Sequence, residues 1–398
     1  MNQNTKSGIL KGTGRNIFLL GLVSLFTDLS SQMIFPLIPL YLTSVLGASA
    51  YVVGIVEGAA ETTASLLKVV SGYWSDKIKK RKPFVLLGYG LSALAKPLFA
   101  IANSWSFVLG VRVTDRVGKG LRDAPRDALV AESCGKDVLG KAYGYQRSMD
   151  GFGSVLGAVA AFILLPILGY KNIFSLAIIP GIFAVLTVLF IKEKIANKDY
   201  VKKEPLKINF GALSFNLKLF VIVTAIFSLG HFGYAFLLLK SKDMGFTDHT
   251  TIFLYAFFYL IYTIITIPAG IISDKIGRKP ILLLGYILFA VTCVGLIFAN
   301  SFYSLLFFFA VYGIFFALID GTQRAFIVDL SPKELKATAL GTLQTAIGIV
   351  ALPGGFIAGL LWDKFGSTAT FVYGAVLSII ALILFLFIKN PKKSLKLL

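Results

Sequence analysis

Gly72-Tyr73-Trp74-Ser75-Asp76-Lys77-Ile78-Lys79-Lys80-Arg81-Lys82-Pro83 stands between two long apolar runs. A near-copy, Gly270-Ile271-Ile272-Ser273-Asp274-Lys275-Ile276-Gly277-Arg278-Lys279-Pro280, returns 198 residues further on in the same setting. Both continue into an apolar stretch containing Leu-Gly-Tyr, at Leu87–Tyr89 and Leu284–Tyr286. A phrase repeated at half the chain length marks two structurally equivalent halves. A basic turn between apolar spans also fixes which way each half faces in a membrane.

The composition carries the same message. Of 398 residues, 56% are hydrophobic and 15% charged, more apolar surface than a water-soluble domain of this length covers. A hydrocarbon core about 30 Å thick needs roughly 20 residues per helical span. Twelve runs meet that length, near 16–46, 51–74, 83–102, 105–131, 138–166, 171–191, 217–240, 250–273, 281–299, 302–328, 335–362 and 367–389. The fold class is an all-α membrane protein of twelve transmembrane helices.

The net charge of +19 is topological. Lysine and arginine cluster at Lys6, Lys11 and Arg15, in the 75–82 turn, over 192–218, in the 275–279 turn, and at Lys389, Lys392, Lys393 and Lys396. With twelve spans these all fall on one side. The opposite loops carry chiefly Lys171, Lys242 and Lys364. This bias places both termini in the cytoplasm of a multi-pass cell-membrane protein, and nucleic acid is not the partner. Cys134 and Cys293 lie in different halves, so no disulfide framework or cysteine metal site is implied. The first apolar run, with Pro36 and Pro39, exceeds a signal-peptide core and reads as a retained span.

Residues 192–216 form the one sizeable polar interruption. They divide the chain into an N-terminal six-helix bundle (1–191), a cytoplasmic linker (192–216) and a C-terminal six-helix bundle (217–398). Asn103-Ser104 matches Asn300-Ser301, Arg126 falls near Arg324, and Gly144 matches Gly341. An even number of spans per half makes the halves parallel, related by an axis along the membrane normal.

The phrase Gly-x-x-x-Asp-(Lys/Arg)-x-Gly-(Arg/Lys)-(Arg/Lys) between spans 2–3 and 8–9 resembles the cytoplasmic loop motif of the major facilitator superfamily. The resemblance covers essentially the whole chain. The second copy fits fully. The first departs at Lys79, where the family has glycine, so an insertion or altered backbone is expected to reshape its turn. Thr27-Asp28-Leu29-Ser30-Ser31-Gln32-Met33, Glu57-Gly58-Ala59-Ala60-Glu61, Asp115-Arg116-Val117-Gly118-Lys119-Gly120-Leu121-Arg122 and Pro125-Arg126-Asp127-Ala128-Leu129 are similar to a prokaryotic subgroup of that superfamily.

Span 4 concentrates the intramembrane charge. Arg112, Asp115, Arg116, Lys119, Arg122, Asp123, Arg126 and Asp127 fall within an arc of about 140° on a helical wheel. A lipid-exposed charge at mid-membrane costs about 2.5–3.5 kcal/mol, so the stripe must line water or pair with neighbouring helices. Candidate partners are Glu57, Glu61 and Lys68 on span 2, Asp28 and Gln32 on span 1, and Arg147 and Asp150 on span 5. Glu57 and Glu61 read equally as ion-pair partners of Arg112 or Arg116 and as proton carriers, because neighbouring acids raise one another's pKa. Arg112 and Arg116 read equally as an anion site and as structural ion pairs. Asp150, among closely spaced glycines, pairs with Arg147 or carries a proton. In the second half the main polar groups are His231 and Tyr234 on span 7 and Asp320, Gln323 and Arg324 on span 10. His231 reads as a packing residue or a proton relay. Tyr255, Tyr259 and Tyr262 read as lipid-facing or packing residues.

The resemblance implies roles for these groups. Spans 1 and 4 would line a central cavity, giving a substrate set of Asp28, Gln32, Arg112, Asp115 and Arg116, with His231 and Tyr234 from the second half. Asp28, Glu57, Glu61 and Asp150 are the proton-coupling candidates. Gating would fall to Gly72, Asp76, Lys80 or Arg81 with Glu132, Arg122 and Arg126, and to Gly270, Asp274 and Arg278 with Asp329. No nucleotide-binding loop, nucleophile turn or zinc-binding helix motif appears in the sequence, so no enzyme activity, cofactor or metal is expected. The expected partners are a small-molecule solute, protons and the bilayer, and the chain is expected to be monomeric. The expected function is secondary active transport by rocker-switch alternating access. Its first form is proton-coupled export of a small organic compound or drug, and its second is transport of an anionic solute such as an organic acid or metal chelate. A non-transporting sensor and a lipid flippase are the readings from other classes.

Overall fold

The computed structural model describes residues 14–135, 138–193, 214–332 and 335–389. Lys6 and Lys11, most of the linker, and the tail lysines from Lys392 onward lie outside the described residues. Every regular element among those described is helical: α1 Arg15–Gln32, α2 Leu37–Leu40, α3 Ala50–Ile78, α4 Lys82–Ala95, α5 Trp105–Glu132, α6 Leu139–Leu176, α7 Ile178–Leu189, α8 Phe215–Gly230, α9 Tyr234–Asp243, α10 Asp248–Ile276, α11 Arg278–Phe298, α12 Phe302–Leu330, α13 Lys336–Phe365 and α14 Ser367–Leu386.

The twelve expected spans are all present, and four are interrupted, span 6 only at Ala177 between α6 and α7. Pro36 and Pro39 lack the N–H groups that a continuous helix needs, and span 1 runs as α1, a turn over Met33–Pro36, α2 and a π-helical turn at Tyr41–Val45. Span 3 closes in a 3-10 segment, Lys96–Ile101. Span 7, expected to be unbroken, splits between α8 and α9 at His231–Gly233, where Gly233 has φ 79°. The turn between spans 5 and 6 is a kink at Gly169 inside α6, with φ 68°. Nine segments among the described residues are long and apolar enough to cross a membrane; one of them, Leu139–Leu189, covers both spans on either side of Gly169. The two spans missing from the nine are α3 and α5, which carry most of the intramembrane charge.

Helix starts follow the repeat. Ser104 accepts the Phe107 amide hydrogen at the head of α5, and Ser301 forms a capping box with Ser304 at the head of α12. Each serine satisfies amide groups that have no partner inside their helix.

The chain divides into two compact units. Unit 1 comprises residues 1–48, 59–202 and 247–259, and unit 2 comprises 49–58, 203–246 and 260–398. In unit 1, α1 packs on α6 and α7, and α4 packs on α5 and α7. In unit 2, α8 packs on α13 and α14, and α11 packs on α12 and α14. The pairing scheme is therefore the same in both. Hydrogen bonds repeat at the same sequence separations. Lys82 Nζ donates to the carbonyls of Leu189 and Ile191, both at 2.8 Å. Lys279 Nζ donates to Leu386 and Ile388, at 3.0 and 2.6 Å.

The residue that departs from the motif keeps the motif's backbone. Lys79 has φ 56° and Gly277, at the matching point after α10, has φ 100°. The left-handed region costs a side chain more than it costs glycine, and the first copy carries that cost at Lys79. The turn is also lengthened, because Lys80 is an extra residue before Arg81 and Arg278 fall back into step.

Candidate functional site

Four residues of the charged stripe of α5 are buried, while Lys119, Asp123, Arg126 and Asp127 are half-buried. Arg112 and Asp115 are each 2% exposed, and Arg116 and Arg122 each 5%. Asp115 accepts a hydrogen bond from Ser92. Its carboxylate lies 3.4 Å from Arg116 Nε and 3.9 Å from Arg112 Nη1. Both guanidiniums lie over the ring of Phe35, at 4.2 and 4.3 Å from its centroid, where the face of the ring attracts a cation. Further down the stripe Lys68 pairs with Asp123 at 3.8 Å. Arg126 contacts Asp127 at 3.2 Å and Asp150 at 3.9 Å. Arg147 reaches the other oxygen of Asp150 at 3.8 Å.

Lys96 joins this cluster, although no sequence motif pointed to it. It is 1% exposed, and its Nζ donates to Ser30 Oγ at 2.7 Å and Ser31 Oγ at 3.0 Å. Ser30 passes its own hydrogen to the carbonyl of Ala177 at 2.5 Å. Asp115, Arg116, Arg122 and Asp28 are the charges within Coulombic reach of the ammonium. The signal was a lone lysine inside the apolar run 83–102, since an ionisable group within a span faces a bundle interior by default.

The remaining sequence-derived residues separate. Asp28 is half-buried and lies within Coulombic reach of Asp150, Arg126, Lys119 and Arg122. Gln32, expected beside a solute, is 6% exposed with its amide engaged at both ends. It donates to Tyr259 Oη at 2.8 Å and accepts from Tyr255 Oη at 2.6 Å. Tyr255 is 0% exposed, so it is a buried hydrogen-bonding residue rather than a lipid-facing one. Glu61 is exposed and accepts from Ser65 at 3.1 Å, while Glu57 is half-buried.

In unit 2, His231 sits at the break between α8 and α9, with Nε2 3.0 Å from Tyr312 Oη. Phe227 and Phe316 stack on its ring, and Phe289 and Phe315 meet it edge-on. Tyr234 opens α9. Asp320 accepts from Tyr262 Oη at 3.3 Å and from Arg324 Nη2 at 2.6 Å. A cavity of about 210 Å³ is lined by Thr266, Gly270, Ser273, Asp274, Arg278 and Thr322.

The loop motif forms the same pairs twice. Arg81 contacts Asp76 at 2.5 Å and Glu132 at 3.3 Å. Arg278 contacts Asp274 at 3.2 Å and also pairs with Asp329. Arg81, rather than Lys80, takes Glu132, because Lys80 is the inserted and exposed residue of its turn.

Two six-span halves with one pairing scheme, a duplicated Asp–Arg–acid loop cluster and a buried charged stripe on span 4 define a class of membrane protein. The Major Facilitator Superfamily profile matches residues 20–239 and 219–397. The chain is 40% identical over 382 residues to an uncharacterised MFS-type transporter of Methanocaldococcus jannaschii, covering 94% of this chain and 95% of that one. It is 35% identical over 122 residues, 30% of each chain, to the multi-drug resistance efflux pump PmrA of Streptococcus pneumoniae. A crystal structure of a D-xylose–proton symporter superposes with a TM-score of 0.79 over 95% of this chain and 98% of that one, at 13% identity. This chain belongs to the major facilitator superfamily.

Proposed function

We propose that this protein is a secondary active transporter that moves a small organic solute across the cell membrane by rocker-switch alternating access, as an exporter coupled to protons. Its termini face the cytoplasm, and it works as a monomer. The observation that carries the reading is the buried charge of unit 1. Lys96, Arg112, Asp115, Arg116 and Arg122 are each at most 5% exposed. Ionisable groups inside spans mark substrate and ion pathways. Asp28, within Coulombic reach of Asp150 and of Lys119, Arg122 and Arg126 on α5, is the first candidate to carry the coupling proton, with Glu57, Glu61 and Asp150 as the others. Export is supported by the partial similarity to an efflux pump.

The sign of the buried cluster favours a second reading, transport of an anionic solute. Four of its five charges are cations. The test is a ligand-stabilisation screen on the purified protein, followed by flux of the selected solute in proteoliposomes with and without a pH gradient. Flux that ignores the gradient removes proton coupling, and no flux of any stabilising solute removes the transport reading.

A further inference from the structure

The two halves of this chain answer one structural question with different residues. Residue 88 and residue 285 are the glycines of the repeated Leu-Gly-Tyr, and each lets the following helix come close. A Cβ at Gly88 would stand 2.6 Å from the carbonyl oxygen of Gly118 and 2.7 Å from Cβ of Arg122. A Cβ at Gly285 would stand 2.6 Å from Cδ1 of Ile319. Arg122 and Ile319 are 197 residues apart, the spacing that also relates Glu132 to Asp329 and Tyr89 to Tyr286. They are therefore the same position in the two copies. Ile319 is 7% exposed and Arg122 is 5% exposed. The scaffold asks only for an apolar side chain there, and unit 1 places a guanidinium instead.

The surroundings of Arg122 do not account for that choice. Its guanidinium lies over the ring of Tyr89, 4.5 Å from the centroid, which covers one face. Among the described residues, no acceptor meets Nε or Nη1, and the hydroxyl of Tyr89 is likewise without a hydrogen-bond partner. Asp28 and Asp123 lie within Coulombic reach of Arg122 but form no ion pair with it. Asp123 pairs with Lys68 instead. A buried N–H without an acceptor is costly, and a guanidinium is the side chain best shaped to hold a carboxylate or phosphate.

We propose that Arg122 is the contact in unit 1 for an oxyanion group, carboxylate or phosphate, of the transported solute. Tyr89 backs the guanidinium, and the glycine pair Gly88 and Gly118 brings the two together. This assigns Arg122 to solute recognition rather than to gating. It rests on the transport reading only for the identity of the ligand as a solute, because the anion contact is measurable in the absence of transport.

The test is titration of the purified full chain with sodium acetate and with sodium phosphate at fixed ionic strength, read by thermal midpoint and by calorimetry. At least one of the two is expected to bind saturably to the wild type, and which one does assigns the group as carboxylate or phosphate. Arg122→Ile, the residue already tolerated at the equivalent position, is expected to weaken that binding at least tenfold. Arg122→Lys, which keeps the charge but loses the planar fork, is expected to weaken it several-fold, and it serves as the measurement if the isoleucine variant does not fold. No saturable binding of either anion to the wild type overturns the proposal, as does an affinity unchanged in either variant. Arg122-dependent binding with no flux of any bound solute in proteoliposomes would remove the transport reading and leave the anion contact standing.

Discussion

The ammonium of Lys96 lies 2.7 Å from the hydroxyl oxygen of Ser30, tying the end of span 3 to the middle of span 1 inside a bundle that excludes water from both. A lysine so held contributes little to stability, since burying an ammonium against neutral hydroxyls carries a desolvation cost that their hydrogen bonds only partly offset. Lys96→Met is therefore expected to keep or raise the thermal midpoint, with Asp115 still paired to Arg112 and Arg116, and to lower solute flux at least tenfold. A variant that unfolds readily but transports normally per folded molecule would show that Lys96 is a structural residue.

The contact of α4 with α5 makes a prediction of opposite character. A Cβ at Gly118 would stand 2.6 Å from the carbonyl oxygen of Gly88 and 2.9 Å from the amide nitrogen of Ser92, both rigid backbone atoms. Gly118→Ala is expected to destabilise by about 1–3 kcal/mol, the usual cost of overpacking. Gly90→Ala, where no atom lies within 4 Å of the new Cβ, is expected to be neutral or to stabilise by up to about 1 kcal/mol. Thermal or denaturant unfolding in detergent measures the pair, and equal effects would contradict the packing described.

Asp363 accepts the amide hydrogens of Ala50 and Tyr51, each at 3.0 Å, and so caps the first turn of α3 from the end of α13. An asparagine presents one acceptor oxygen and no charge to the same helix end. Asp363→Asn is expected to cost about 1 kcal/mol, in the range of cap losses. An unchanged unfolding midpoint would show that the cap contributes nothing.

The topology is open to chemical labelling. In a background with Cys134→Ser and Cys293→Ala, single cysteines at Lys80 and Lys364 probe opposite sides. Cys134 itself, whose thiol burial raises above its ordinary pKa, is removed to keep the readout clean. A membrane-impermeant maleimide added to intact cells is expected to label Lys364→Cys and to spare Lys80→Cys until the membrane is opened. The reverse pattern would place the termini outside.

Much of this molecule was legible because its strongest signals are one-dimensional. Apolar length, the basic turns and the repeated phrase gave twelve spans, and the Asn-Ser pairs became helix caps at Ser104 and Ser301. The 100° periodicity of α5 put Arg112, Asp115, Arg116 and Arg122 on one buried face. What the sequence concealed depends on backbone breaks and on which neighbour is nearest. Nothing local to 217–240 announced the interruption at His231–Gly233. Lys96 stood alone in an apolar run, so no spacing rule singled it out. Gln32 was grouped with Asp28 by helical distance, yet its amide is taken by two tyrosines far along the chain. The difference between Arg122 and Ile319 emerges only when the two halves are aligned through their glycine contacts.

Proton coupling is tested most directly by flux. Purified protein reconstituted in liposomes, loaded with a solute selected by thermal stabilisation, is to be assayed for solute flux under an imposed pH gradient, with and without a protonophore. The expected result is flux driven by the gradient, abolished by the protonophore, and reduced at least tenfold by Asp28→Asn. Flux of the same rate in the absence of a gradient, or an Asp28→Asn variant that remains gradient-driven, would contradict proton coupling through the buried charges of unit 1.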